Sequence, residues 1–212
     1  MALIIICFLI VLTFNLIGHQ RDNRLMKGIT KPILVPILII LYTTKASTID
    51  SLVVIALVAG LLGDIFLMLS GKEIYFVVGT GAFLIGHVFY IIAFFKRVDM
   101  FVHGAYWLWG VVPVYIIAGT LFKKLLADHT GKLTPHVAIY TFAIFTMSFM
   151  GIVAGVLWKT QTVILIAIGS ILFIVSDAIL GLNKFRDIGL PSGSVMLTYG
   201  LAQLLITIWF IL

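Results

Sequence analysis

Residues 52–69 read LVVIALVAGLLGDIFLML, eighteen residues with a single charge, Asp64. At 1.5 Å of rise per residue such a run is about 27 Å long as a helix, close to the ~30 Å hydrocarbon core of a bilayer. It therefore reads as a membrane span with a carboxylate inside it. An aspartate at the centre of a bilayer costs about 2.5–3.5 kcal/mol, and less toward the interface. The same anomaly returns at residues 169–180, GSILFIVSDAIL, where Asp177 interrupts another apolar run.

The rest of the chain agrees with a membrane reading. Of 212 residues 62% are hydrophobic and 10% charged, with a mean hydropathy of +1.24. Soluble domains run at about 45–50% apolar and 25% charged, and polar residues must cover their surface. This chain has too few. Breaks at charge and turn clusters predict eight spans, at 2–18, 31–46, 51–69, 75–95, 105–125, 135–157, 162–180 and 194–212. The expectation is an all-α polytopic protein forming one domain, 1–212. The first run lacks a basic leader and a cleavage site, so it is expected to be a retained helix.

Charge placement argues against several functions. The formal net charge is +6, yet the basic residues fall in short loops rather than in a patch with reading aromatics. No nucleic-acid partner is expected. The lone cysteine, Cys7, can form no intrachain disulfide. Metal-ligand spacings and glycine-rich phosphate loops are missing from the sequence, so no cofactor and no metal are expected. Ten of the fourteen basic residues fall on one side of the predicted spans, Lys31, Lys72 and Lys184 among them, and four on the other. The richer side is expected to be cytoplasmic, with both termini outside. The compact loops favour a bacterial plasma membrane.

On this topology Asp64, His87, Tyr90, Asp177, Tyr199 and Gln203 fall within about 5–22 Å of the cytoplasmic boundary. Asn15, Lys31 and Tyr140 lie at the same end. Gly60 and Asp64, Gly86 and Tyr90, and Tyr199 and Gln203 are each four apart, hence on one helix face. Glycines at such positions let helices approach closely. Asp64 precedes Tyr90 by 26 residues and Asp177 precedes Gln203 by 26, a faint sign of a four-plus-four duplication.

Each of these residues also has an ordinary reading. The aspartates would be helix-end residues, His87, Tyr90, Tyr199 and Gln203 simple interhelical hydrogen bonds, and Lys31 a snorkelling boundary residue. His19, His103, His129 and His136 read as loop or interface residues. Trp107, Trp109, Trp158 and Trp209 read as an interfacial aromatic belt. The pairing of the two aspartates at matching depth favours function, since intramembrane ionisable groups are functional by default.

Five stretches then carry a resemblance: TKPILVPIL (30–38), GLLGDIFLML (60–69), GTGAFLIGHVFYI (79–91), GSILFIVSDAIL (169–180) and YGLAQLLI (199–206). In this order they resemble the YhhN-type lysoplasmalogenase family of multi-pass membrane hydrolases. The resemblance implies cleavage of the vinyl-ether bond of a lysoplasmalogen held in the bilayer. The products would be a fatty aldehyde and glycerophosphoethanolamine or glycerophosphocholine. It also implies that Lys31, Asp64, His87, Asp177, Tyr199 and Gln203 occupy the family's polar positions.

The chemistry suits two carboxyls. Protonation of the alkenyl carbon gives an oxocarbenium ion, water adds, and the hemiacetal collapses. One acid and one anion are needed, and two carboxyls in a low-dielectric site divide those roles, as in glycosidases. Asp64 and Asp177 are expected to be that pair, in either order. His87, Tyr90, Tyr199 and Gln203 would orient substrate and water, and Lys31 would attract the phosphate. The competing expectations are a transporter using intramembrane carboxylates, a metal-dependent amidase, and a structural scaffold.

Overall fold

A computed structural model describes residues 1–69, 72–98, 110–158 and 160–212. Among them are eight α-helices: α1 (Ala2–Gln20), α2 (Arg24–Lys45), α3 (Ser51–Met68), α4 (Glu73–Phe95), α5 (Val112–Thr130), α6 (Thr134–Trp158), α7 (Val163–Arg186) and α8 (Ser192–Ile211). Seven are long and apolar enough to cross a membrane. The other, α5, carries Lys123, Lys124 and Asp128 in its second half. His103, Trp107, Trp109 and Lys159 lie outside the described residues.

Local chemistry moves three boundaries from those the sequence predicts. Helix α2 begins at Arg24, because Asn23 caps it by accepting the Met26 amide at 3.0 Å, as N-cap asparagines do. Pro32 and Pro36 are thus interior, and each lacks the amide that would bond back one turn. Lys31 consequently sits two turns inside the helix. Helix α7 runs on to Arg186, where Asp187 turns left-handed at φ 49°. Its charged last turn is held by Lys184, whose Nζ stands 5.3 Å over the Phe76 ring. Helix α5 starts at Val112 with Pro113 in its first turn, the position that tolerates a missing amide.

The helices close into a ring. Packing runs α1–α2–α3–α4–α6–α7–α8 and back to α1, while α5 stands outside, mainly against α6 and α7. The closest pairs are α3–α4 and α7–α8, the two hairpins joined by the 26-residue echo. Glycines set the first of these. A Cβ on Gly63 would lie 2.6 Å from the Phe83 ring, and one on Gly79 would lie 2.9 Å from Leu67, so the two backbones nearly touch.

At the end remote from Asp64, Arg97 binds Asp50 at 2.8 Å, and Asp50 also caps α3 through the Leu52 amide. Arg97 lies over the rings of Trp158 and Phe210. Trp209 is fully buried among Phe94, Trp158 and Phe210. It belongs to this internal aromatic stack and not to a lipid-facing belt, because α8 is the most enclosed of the spanning helices.

Candidate active site

The ring encloses a polar cluster on six helices. Asp64 lies one turn before the end of α3, and Lys31 reaches it from α2 with Nζ 3.2 Å from Oδ1. Tyr199 of α8 donates its hydroxyl to Oδ2 of the same carboxylate at 2.8 Å. Gln203, one turn further along α8, lies 3.5 Å from the Tyr199 hydroxyl through Nε2 and accepts from Tyr90 of α4 at 3.0 Å through Oε1. A Cβ on Gly60 would stand 3.2 Å from Gln203 Nε2 and 3.5 Å from Tyr199 Oη. Glycine at that position leaves room for this chain of hydrogen bonds beside Asp64.

The second group is centred on Asp177 of α7. Tyr140 of α6 donates its hydroxyl to Asp177 Oδ2. His87 of α4 lies 3.2 Å from the same hydroxyl and 3.8 Å from Asp177 Oδ2 through Nε2. Phe173, Phe83 and Tyr199 meet edge to face between the two groups. His87 packs on Phe173 with ring centroids 4.8 Å apart. Asp177 is nonetheless within electrostatic reach of Asp64.

The candidate residues thus converge, and two depths change. With α7 extended, Asp177 lies nine residues from the helix end, about 13 Å, so it is no helix-end carboxylate. Tyr90 lies seventeen residues into α4, about 25 Å along it, and bonds only at the far end of the chain of hydroxyls and amide. It touches neither carboxylate through any hydrogen bond described.

The two carboxylates differ in access. Asp64 is 3% exposed at its side chain and Asp177 14%. Asp177 also faces a cavity of about 90 Å³ between α4, α5, α6 and α7, lined by Thr80, His136 and Tyr140 among mostly apolar side chains. Two buried charges require each other, since removing one partner strands the second. Lys31 and Asp64 make such a pair. One turn closer to the start of α2, Lys27 makes the exposed counterpart. Its hydrogen bond and charge hold the Asp22 carboxyl below the usual carboxylate range.

Tyr140 and His136 were not singled out as site residues by sequence reasoning. His136 lies in the first turn of α6, 2.7 Å from Thr80 Oγ1 through Nε2, not in a loop. Its spacing of four from Tyr140 puts both on the face turned to Asp177, and that spacing was the available signal. Among the described residues no group of three His, Cys, Asp or Glu side chains is placed to hold a metal ion.

The model of the YhhN family matches residues 26–209, taking in every residue of both groups. Lysoplasmalogenase TMEM86A of Bos taurus is 30% identical to this chain over 159 residues. That match covers 73% of the chain, which spans 62% of the relative's length. No solved structure matches the chain.

Proposed function

Because this chain belongs to the YhhN family, we propose that it is a membrane hydrolase that cleaves the vinyl-ether bond of lysoplasmalogens. The observation that carries the proposal is two intramembrane carboxylates inside one ring of helices, Asp64 paired with a lysine and Asp177 facing a cavity. That division matches the anion and the acid that vinyl-ether hydrolysis needs.

In this reading Asp177 carries the proton to the alkenyl carbon once removed from the ether oxygen. The double bond shifts toward oxygen and leaves an oxocarbenium ion. Asp64, held as a carboxylate by Lys31 and Tyr199, supplies a fixed negative field within electrostatic reach of that charge. Water adds to the cationic carbon as the Asp177 carboxylate takes back one proton. The resulting hemiacetal collapses to a fatty aldehyde and a glycerophospho-alcohol. Tyr140 and His87 orient Asp177 and are positioning residues. Lys31 is committed to Asp64, so its role is to hold that charge and not to bind the phosphate.

The same proposal sets the membrane as a bacterial plasma membrane, with the lysine-rich side cytoplasmic and both termini outside. The test is product analysis on purified protein given a lysoplasmalogen in heavy water. Fatty aldehyde with one deuterium on the carbon next to the carbonyl supports protonation at that carbon. A well-folded protein that yields no aldehyde overturns the hydrolase. Movement of unchanged lipid or solute in proteoliposomes would then put a carrier in its place.

A further inference from the structure

The cavity at Asp177, about 90 Å³, is too small for a lipid, and the space beside it is the informative part. An apolar groove of about 470 Å³ runs between α5 and α6. It shares Thr141 and Phe145 with the Asp177 cavity, so the two spaces adjoin across these side chains. Helix α5 produces the groove by its own packing. Its second half, through Phe122 and Leu126, closes the cavity. Its first half, from Val112 to Thr120, lines the groove. The outward face bearing Val114, Ile117 and Leu121 is exposed and apolar, as a bilayer-facing helix is.

From Ala138 to Phe149 the groove follows α6, about 16 Å along the helix. At its far end Tyr115 meets Ser148 at 3.0 Å, and Ser148 donates to Ser170 at 2.9 Å. A hydrocarbon chain fits this groove, whose lining is apolar apart from Tyr115 and three threonines. Beyond its near end, Asp177 lines the adjoining cavity.

Gly119 controls the junction. A Cβ there would lie 3.8 Å from Phe145 and 3.9 Å from Thr141 Cγ2, the two residues common to both spaces. That is ordinary van der Waals contact, so a larger side chain would grow into the passage without a clash at its root.

We propose that the α5–α6 groove binds the alkenyl chain of a single-chain phospholipid, leaving its vinyl ether beside Asp177, with Gly119 keeping the passage between groove and cavity open. This inference rests on the hydrolase reading for the identity of the reacting bond. It assigns chain-length selection to α5 and α6.

Two measurements test it. In the first, kcat/KM is compared across lysoplasmalogens of increasing chain length for wild type, Gly119→Ala and Gly119→Phe. Gly119→Phe shifts preference toward short chains, by up to about fourfold for each methylene shut out, and Gly119→Ala shifts it less. An equal fall at every chain length in a variant with the wild-type unfolding temperature overturns the groove while leaving the hydrolase standing. In the second, an ester-linked lysophosphatidylethanolamine with a diazirine in its tail is photolysed and the labelled peptides are mapped. Labelling on α5 and α6 that Gly119→Phe abolishes supports the groove, even where no aldehyde forms and the hydrolase reading fails. Equal labelling by a two-chain diazirine phospholipid, or labelling spread over other helices, overturns it, because the groove is then ordinary lipid-facing surface.

Discussion

Asp64 has a lysine ammonium at 3.2 Å, a tyrosine hydroxyl at 2.8 Å and almost no exposure. Asp177 has a tyrosine hydroxyl, a histidine at 3.8 Å and an open cavity beside it. The two sequence runs that contain them look alike, and only their neighbours separate them. A cation in contact favours the charged form of a carboxyl, whereas a tyrosine hydroxyl supplies a hydrogen bond without a charge. In the proposed reaction this difference in surroundings is what assigns the anion to Asp64 and the acid to Asp177.

The largest effect follows from removing the proton carrier. Asp177→Asn keeps the hydrogen-bonding shape and loses the transferable proton, so aldehyde formation falls by about 10²–10⁴-fold, the usual worth of a general acid. The unfolding temperature in detergent stays close to wild type, since asparagine still accepts from Tyr140. A variant that retains wild-type turnover erases the distinction between the two carboxylates.

Lys31→Met tests the other side. It strands the Asp64 charge in the interior, and breaking a buried pair in this way costs about 3–5 kcal/mol of stability. The double variant Lys31→Met with Asp64→Asn recovers most of that loss in thermal unfolding, because no unpaired charge remains. It does not recover activity. If the single variant unfolds at the wild-type temperature, Lys31 is a snorkelling residue and Asp64 is not its dependent.

The sequence made the helices legible because hydrophobic runs report membrane spans directly. The face-sharing pairs Gly60 with Asp64 and Tyr199 with Gln203 followed from helical periodicity. What stayed hidden depends on contacts between distant segments. Lys31 looked like a boundary residue because prolines and basic residues surround it, and only the Asn23 cap extends α2 below it. Asp177 looked shallow because Lys184 and Arg186 resemble the start of a loop, yet Lys184 is absorbed over Phe76. Tyr140 carries only its spacing of four from His136 as a signal until its partner, 37 residues away, is brought beside it.

Tyr140→Phe sharpens the comparison more gently. It removes the hydroxyl that orients Asp177 and leaves the carboxyl itself in place. A hydrogen bond to a charged or charge-forming group is worth about 1.5–3 kcal/mol, which sets a loss of about tenfold to a hundredfold in kcat. As a positioning residue it also displaces the pH profile of kcat, which loss of packing alone would not do. The same substitution at Tyr199 releases one oxygen of Asp64 and leaves the Tyr140–Asp177 hydrogen bond in place.

The smallest effect belongs to Tyr90, which the sequence grouped with the site and the structure puts at the end of the hydrogen-bond chain. Its hydroxyl donates to Gln203 Oε1 in a fully buried setting, two links from Asp64. Tyr90→Phe keeps the ring stacked on Phe94 and Phe210 and leaves one acceptor unsatisfied, at a cost of about 1–3 kcal/mol in stability. Turnover stays within about twofold, because neither carboxylate loses a partner. Loss of activity larger than the loss of stability would mean that the chain from Tyr90 through Gln203 and Tyr199 sets the Asp64 charge from a distance. The sealed half of the cluster would then be a coupled network instead of a lysine–carboxylate pair with a passive extension, and double-mutant cycles between Tyr90→Phe and Tyr199→Phe would measure that coupling.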